Sequence, residues 1–210
     1  MPAWAGDLAW DKQDGLLPAI VQDADTRQVL MLGYMDRAAL AATWATGSVT
    51  FFSRSRQRLW TKGETSGHRL GLVSIDTDCD RDTLLVQALP AGPVCHTGQP
   101  GCFGKAPADA LAALDRIIAE RVRERPEGSY TARLLASGIR RIAQKVGEEG
   151  VETALAGAAG DIPQLREEAA DLLYHLIVLL RASGIGLAEV AAVLARRQRQ
   201  HAPANQDASP

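Results

Sequence analysis

The sequence has little net charge, few cysteines and no long apolar run. Its 210 residues carry a formal net charge of −2, so the overall charge does not attract nucleic acid or an anionic membrane, and any phosphate must be held by local basic clusters. The longest apolar run, residues 172–180, is interrupted by Tyr174 and His175 and is much shorter than the roughly 20 residues that span a bilayer. We therefore expect a small-molecule substrate, no nucleic-acid partner and no membrane anchor.

The N-terminus lacks the features of an export signal, because Asp7 and Asp11 interrupt the apolar stretch that such a signal needs. The three cysteines, Cys79, Cys95 and Cys102, cannot all pair within one chain. In the cytoplasmic protein that we expect, they remain reduced as thiols or metal ligands.

The two halves of the chain differ in local pattern. In the first half, four short β-prone runs surround one helix, which Asp36 caps and which ends before Gly47. This mixture predicts an α+β domain. The β-prone runs are 19–21, 29–32, 49–52 and 84–89, and the helix is 36–46. Beyond Gly104, apolar residues recur at helical spacing, which predicts an all-α helical bundle. The expected helices are 108–124, 130–158, 163–183 and 187–199. The predicted domains are 1–105 and 106–197, followed by a flexible tail, 198–210.

Cys95 and Cys102 bracket a Gly-rich loop that is flexible enough to bring both sulfurs to one ion. An isolated pair of cysteines is more often two small buried apolar residues, but this loop is a poor place for burial. Cys79 lies among carboxylates, where an apolar role makes little sense. Three thiolates would fill three tetrahedral positions of a zinc ion and leave the fourth open for water, as in catalytic zinc sites.

The aspartates around Cys79, namely Asp78, Asp80 and Asp82, have two interpretations. Residues 80–83 can form a hairpin turn whose carboxylates are merely solvated. Alternatively, a strand continues through all three aspartates and places them on one face, with Cys79 on the other. That strand would serve a magnesium site and a zinc site, and its two faces could contribute to sites in different subunits.

A basic segment, residues 51–68, contains Arg54, Arg56 and Lys62 among hydroxyl-bearing residues and glycines, and it ends at His68. Arginine forks and closely approaching backbone N–H groups could bind phosphate here. An exposed basic edge strand that resists aggregation explains the same residues equally well.

The helical half carries two acidic groups at helical spacing. Such charges are usually a solvated helix face, but Asp171 leads directly into the apolar residues 172–180, which we expect inside a bundle. A carboxylate there needs a partner or a cation. Two antiparallel helices presenting these groups toward each other would make an all-oxygen magnesium site. The residues concerned are Glu148, Glu149, Glu152, Glu168 and Asp171.

Four motifs in residues 7–104 together resemble phosphoribosyl-AMP cyclohydrolase. They are DGLLPAIVQD at 14–23, the segment from Ser53 to His68, DCDRD at 78–82, and CHTG to CF at 95–103. This resemblance implies zinc-dependent hydrolytic opening of the adenine N1–C6 bond, in an intertwined homodimer in which one zinc ligand comes from the partner. Two mild departures are Gly101, where serine is usual, and Phe52, where tryptophan is common.

The same resemblance assigns roles to individual residues. It implies zinc ligation by Cys79, Cys95 and Cys102, magnesium ligation by Asp78, Asp80 and Asp82, and proton transfer by His96 and His68.

Residues 110–197 resemble phosphoribosyl-ATP pyrophosphohydrolase, on the motifs SYT at 129–131, RIAQKVGEE at 141–149 and DLLYHL at 171–176. The resemblance implies attack of water on the α-phosphorus of N1-phosphoribosyl-ATP, with release of pyrophosphate, so that the chain carries consecutive steps of histidine biosynthesis. The five carboxylates would hold magnesium, and one glutamate, for which we take Glu149, would orient or deprotonate the water. Arg141 and Lys145 are the expected phosphate contacts, although cations on a helix surface are usually only solvated.

Three hypotheses follow from these patterns. The first is the bifunctional enzyme. The second is a binding protein whose zinc and helices only stabilise a dimer or hold a nucleotide. The third keeps the helical half an enzyme but directs it at general nucleoside triphosphates.

Overall fold

The computed structural model describes residues 3–104 and 106–201. The chain divides into two compact units between Asp109 and Ala110. The boundary expected at residue 105 and the tail residues 202–210 lie outside the described residues.

The first unit is an α+β fold, as the sequence predicts. Two 3₁₀ turns, Ala3–Asp7 and Trp10–Gln13, precede it. Its elements are β1 (Leu17–Asp23), β2 (Val29–Met35), α1 (Arg37–Thr46), β3 (Thr50–Ser53), β4 (Arg58–Thr61), β5 (Leu70–Thr77) and β6 (Leu84–Pro90). A mixed sheet has the order β2-β1-β6-β5, in which β1 runs parallel to β6 and the other pairs are antiparallel. The strands β3 and β4 form a separate antiparallel hairpin.

Strand β1 supplies one layer of the core because its residues alternate between two faces. Leu17, Ala19 and Val21 are fully buried, while the residues between them are half-buried. Helix α1 begins and ends as expected: the Asp36 carboxylate accepts a hydrogen bond from the Ala39 N–H at 2.6 Å, and Gly47 adopts a left-handed φ of 66°.

Two strands, β4 and β5, were not predicted. Strand β4 lies inside the basic segment, and its exposure does not alternate: its first two residues are exposed and its last two are half-buried. It is a strand because β3 supplies its hydrogen-bonding partner, which local sequence does not encode.

The prediction that a strand continues through the three aspartates is wrong. Strand β5 ends at Thr77, and the Asp78 carboxylate accepts hydrogen bonds from the backbone N–H groups of Asp82 at 3.0 Å and Thr83 at 3.1 Å. Arg81 takes a left-handed φ of 61°. These side-chain-to-backbone bonds close a turn in place of a ladder, so the backbone forms the hairpin turn of the first interpretation and not the continued strand of the second.

The second unit is all helical. Its elements are α2 (Ala110–Glu124), α3 (Tyr130–Ala136), α4 (Ile139–Ala159), α5 (Ile162–Ala182) and α6 (Leu187–His201). The single helix expected at 130–158 is two helices, because Gly138 takes a φ of 86° between α3 and α4. Helix α6 reaches His201, so the first residues of the expected tail are helical. A small core packs these helices together, and its buried members are Ile118, Leu134, Ile142, Ile177 and Val178.

A buried ion pair joins three helices of this unit. Asp115 on α2 accepts hydrogen bonds from Nε and from a terminal nitrogen of Arg181 on α5, each at 2.5 Å. The same carboxylate accepts from the Leu187 N–H at the start of α6, at 3.2 Å. Among the described helices none is by itself long and apolar enough to cross a membrane, although α5 and α6 together, across a bend of 105°, meet the requirements of length and composition.

Candidate functional site

The thiol loop in the first unit holds Cys95 and Cys102. A turn forms at its start, because the Cys95 N–H donates to the Gln99 carbonyl and the Gly98 N–H donates to the Cys95 carbonyl, each at 3.0 Å. At its end, the Cys102 N–H donates to the Leu30 carbonyl at 2.6 Å, which fastens the loop to β2. The loop thereby brings the two thiols into direct interaction.

The two thiols differ in acidity. The Thr97 hydroxyl donates to Cys95 Sγ at 3.1 Å and is the main reason why the pKa of the Cys95 thiol is lowered. The pKa of the Cys102 thiol is raised, first by desolvation of its sulfur among protein atoms, although the residue as a whole is exposed, and then by the charge of Cys95. Lys62 lies near enough to lower both pKa values. Cys95 is therefore the more readily ionised thiol.

Cys79 is exposed in the acidic turn. Within the described part of this chain, its side chain does not join the other two thiols in any group of three possible ligand atoms closer than 4.8 Å to one another. Of the three predicted zinc ligands, Cys95 and Cys102 are thus neighbours, whereas Cys79 lies apart from them.

The acidic turn brings Asp78, Asp80 and Asp82 together, with one oxygen from each carboxylate within 4.8 Å of the others. The Lys12 ammonium lies against them, 2.7 Å from Asp80 Oδ2 and 3.5 Å from Asp82 Oδ2. This contact lowers the pKa of the Asp80 carboxyl. The three carboxylates thus form one acidic cluster that is partly neutralised by a lysine of the same chain.

The predicted phosphate contacts of this unit lie around the β3–β4 hairpin. Arg54 and Arg56 are exposed in its turn, and the Arg54 guanidinium stacks 3.8 Å above the Tyr34 ring. His96 is exposed beside Cys95, with Nδ1 3.8 Å from Sγ. His68 is half-buried against a glycine.

That glycine is Gly92, and its contact explains the residue type. A Cβ at Gly92 would overlap the imidazole of His68, so any larger residue would displace the ring. The absence of a side chain at Gly92 thus leaves the space that the His68 ring occupies.

The carboxylates of the second unit come together between α4 and α5. Glu149, Glu152 and Glu168 each place one oxygen within 4.8 Å of the others. A pocket of about 480 Å³ opens beside them. Its lining residues are Tyr130, Lys145, Glu149, Asp171, Tyr174 and His175.

These carboxylates have opposite pKa shifts. The Glu149 side chain is 5% exposed, covered by close neighbours such as Lys145 rather than by a deep core. Lys145 Nζ lies 2.7 Å from Glu149 Oε1, and this contact lowers the pKa of Glu149. The pKa of Glu152 is raised, first by desolvation and then by the charges of Glu168 and Glu149. Oxygens that repel one another in this way favour a bound cation.

Two predicted ligands lie outside this group of three. Glu148 Oε1 accepts from Gln144 at 2.8 Å and from Arg141 at 3.4 Å, and its other oxygen lies 3.0 Å from Lys145 Nζ. Asp171 lines the pocket but is exposed. The expectation that Asp171 lies inside a bundle is wrong for this chain, because Asp171 borders an open pocket and stays exposed.

Both halves of the chain match known families. The phosphoribosyl-AMP cyclohydrolase model matches residues 31–104, and the phosphoribosyl-ATP pyrophosphohydrolase model matches residues 111–198. The histidine biosynthesis bifunctional protein HisIE of Xanthomonas axonopodis pv. citri (strain 306) is 65% identical over 192 residues, which are 91% of this chain and 93% of that protein. HisIE of Escherichia coli (strain K12) is 56% identical over 195 residues, or 92% and 96% of the two chains. The chain belongs to the HisIE family.

HisIE membership decides among the three hypotheses. The chain is a bifunctional histidine-biosynthesis enzyme with phosphoribosyl-ATP pyrophosphohydrolase and phosphoribosyl-AMP cyclohydrolase activities. Each family match lies within one of the two compact units. The acidic pocket therefore belongs to the pyrophosphohydrolase domain, and the thiol loop belongs to the cyclohydrolase domain.

The sequence reasoning missed three pocket residues of this HisIE chain, namely Tyr130, Tyr174 and His175. His175 is buried and hydrogen-bonded to Tyr130, and Tyr174 bonds to the buried Thr131 at 2.7 Å. One signal could have identified His175. An imidazole within an apolar helical run needs hydrogen-bond partners for its ring nitrogens. Where these partners lie beside a cluster of carboxylates, the histidine is a candidate member of a functional site.

Proposed function

We propose that the two activities depend on metal centres of opposite chemistry, a magnesium centre of carboxylates in the pyrophosphohydrolase domain and a zinc centre of thiolates in the cyclohydrolase domain. The observation that carries the proposal is the convergence of Glu149, Glu152 and Glu168 from two facing helices beside a pocket. An all-oxygen donor set suits magnesium, whereas sulfur suits zinc.

In the pyrophosphohydrolase domain, the three converging glutamates hold magnesium, and Glu148 and Asp171 complete the set. Magnesium supplies charge neutralisation and a template for the triphosphate of N1-phosphoribosyl-ATP. Glu149 orients the attacking water and accepts its proton as the bond between the α-phosphorus and the pyrophosphate breaks. Arg141 and Lys145 contact phosphate oxygens, since each lies on α4 on the side of the acidic group.

In the cyclohydrolase domain, Cys95 and Cys102 bind zinc together with Cys79. Zinc held there would supply a water that is acidic near neutral pH, the nucleophile needed for hydrolytic opening of the N1–C6 bond of phosphoribosyl-AMP. His96 and His68 move protons during the ring opening.

The remaining polar residues of this domain bind the substrate and a second metal. Arg54, Arg56 and Lys62 bind the phosphates, and Lys62 is already close to the thiols. Asp78, Asp80 and Asp82 hold magnesium.

The protein acts as a homodimer with a shared zinc centre. The separation of Cys79 from the other two thiols within one described chain supports this arrangement, because a partner's turn could bring its own thiol to the loop. The partners are small nucleotides, with no role for nucleic acid or a membrane, and the enzyme works in the cytoplasm.

Metal analysis of two variants tests the two centres. Cys95→Ala should lose zinc and cyclohydrolase activity and keep pyrophosphohydrolase activity. Glu149→Ala should weaken magnesium binding and abolish pyrophosphate release while zinc content stays unchanged. Loss of both activities in each folded variant, or retention of both, would contradict the assignment.

Mixing two variants tests the shared centre. Cys79→Ser and Cys95→Ser proteins should each lack cyclohydrolase activity alone. After unfolding and refolding together in equal amounts, about a quarter of the activity should return, because half of the dimers are mixed and each mixed dimer has one intact site. No recovery, with mixed dimers demonstrated by mass spectrometry, would place all three ligands in one chain.

A further inference from the structure

His175 on α5 uses both of its ring nitrogens at the carboxylate pocket. Nδ1 lies 2.9 Å from the backbone carbonyl oxygen of Asp171 and 3.6 Å from Oε1 of Glu149. Nε2 lies 3.1 Å from the hydroxyl oxygen of Tyr130. One buried side chain, 4% exposed, thus connects the start of α3 to α4 and α5 at the site of the reaction.

The two nitrogens have different partners and therefore different tasks. The Asp171 carbonyl only accepts, so Nδ1 carries a proton and donates it to that oxygen, while the Glu149 carboxylate faces the same nitrogen at 3.6 Å, a charge–dipole contact longer than a hydrogen bond. Nε2 lies on the opposite edge of the ring, and its hydrogen-bond partner is the Tyr130 hydroxyl. Aromatic neighbours fix the plane of the imidazole, since the rings of Tyr130 and Tyr174 meet it edge-on at 81° and 84°.

The two ends of this connection face the same pocket. Glu149 is the buried member of the carboxylate group, and Tyr130 lines the pocket while its side chain is 47% exposed. A residue that holds both at a fixed separation sets the width of the space in which the nucleotide lies.

We propose that His175 is a positioning residue of the pyrophosphohydrolase, holding Glu149 through Nδ1 and the substrate-facing Tyr130 through Nε2. The inference rests on the proposed use of this pocket for pyrophosphate release. The Nδ1 contact keeps the Glu149 carboxylate oriented toward the attacking water, so its loss lowers kcat. The Nε2 contact keeps Tyr130 against the bound nucleotide, so its loss raises KM.

A second link between the same helices provides a control. The Thr131 hydroxyl bonds the Tyr174 hydroxyl at 2.7 Å and accepts from Arg121 at 3.1 Å. Thr131 is fully buried and does not line the pocket. It ties α3 to α5 as His175 does, but it contacts neither Glu149 nor Tyr130 through a hydrogen bond among those described.

Two amide substitutions separate the contacts of His175. In His175→Asn the amide nitrogen can take the place of Nδ1, so kcat should stay within about twofold while KM for N1-phosphoribosyl-ATP rises about fivefold, the effect of one ordinary hydrogen bond. In His175→Gln the amide can reach the place of Nε2, so KM should hold while kcat falls about tenfold or more, as for other partners that orient a metal ligand.

Tyr130→Phe removes only the hydroxyl and should reproduce the KM effect of His175→Asn, with kcat nearly unchanged. The double variant Tyr130→Phe with His175→Asn should show no further rise in KM, because both changes remove the same contact. Thr131→Val should lower the thermal midpoint without separating KM from kcat.

A parallel loss of thermal stability and of kcat/KM in the His175 and Thr131 variants, with no separation of kcat from KM, would overturn the proposal. Additive KM effects in the double variant would do the same. If a His175 variant does not fold, Tyr130→Phe alone decides: an unchanged KM rejects the positioning role. If Glu149→Ala instead keeps pyrophosphohydrolase activity, this result rejects the proposed use of the pocket for pyrophosphate release.

Discussion

Lys145 Nζ lies 2.7 Å from Oε1 of Glu149, one helical turn further along α4. The same ammonium lies 3.0 Å from Glu148, and the two carboxylates raise the pKa of Lys145 above its ordinary value. A permanently charged lysine thus stands between two proposed metal ligands and keeps Glu149 ionised. Lys145 thus lowers the pKa of the proposed base, Glu149, against the opposite effect of its low exposure.

Removal of that lysine should change the pH dependence of pyrophosphate release. Lys145 lowers the pKa of Glu149, so Lys145→Met should raise that pKa. Protonation then occurs at higher pH, and the acid limb of kcat/KM should move to higher pH. Lys145→Arg should largely preserve the limb, and Lys12→Met, in the other domain, should leave it in place. A fall in rate with an unmoved acid limb would show that Lys145 acts only on phosphate.

Neutralising Glu152 should stabilise the metal-free protein. The pKa of Glu152 is raised, so its charged form is disfavoured in the folded state, and stability is lost as pH rises through the folded pKa. At pH 8 with a chelator, Glu152→Gln should therefore increase the thermal midpoint, and added magnesium should stabilise this variant less than the parent. Glu167→Gln, an exposed carboxylate on α5 outside the group, serves as control. A lower midpoint for Glu152→Gln would contradict the repulsion.

The thiols of the cyclohydrolase domain should react at different rates in protein that has been treated with a metal chelator. The pKa of Cys95 is lowered and that of Cys102 is raised, and only the thiolate is alkylated. Iodoacetamide at pH 7.5 should therefore label Cys95 before Cys102, as measured by peptide mass spectrometry. Thr97→Val removes the main cause of the low pKa of Cys95 and should slow the alkylation of this thiol. Faster labelling of Cys102 in the parent would reverse the assigned order.

The buried pair of Asp115 and Arg181 should matter for stability and not for chemistry. Asp115→Asn should destabilise the helical domain by about 2–3 kcal/mol, less than a fully buried pair because the Arg181 side chain is 30% exposed. Urea unfolding followed by circular dichroism measures this change. The matched surface pair of Arg123 and Glu124 is well exposed, and Arg123→Ala should cost under about 0.5 kcal/mol. Equal losses of unfolding free energy in the two variants would contradict the larger contribution that we expect from the Asp115–Arg181 pair.

The sequence by itself determined the features that depend on local rules. Asp36 and Gly47 delimit α1 as expected, because capping involves neighbouring residues only. Helical periodicity gave Glu149 and Glu152 a common face on α4. The motifs also gave the family, which the comparisons confirm.

Tertiary structure decided which of these residues meet. The Asp78 carboxylate closes a turn through two backbone N–H groups, where alternation alone allowed a strand. Helix packing brings Glu168 to Glu149 and Glu152, whereas Glu148 turns to Arg141 and Gln144. His175 finds Tyr130, 45 positions away. The direction of a side chain and a partner distant in the chain are set by packing, and no local pattern encodes them.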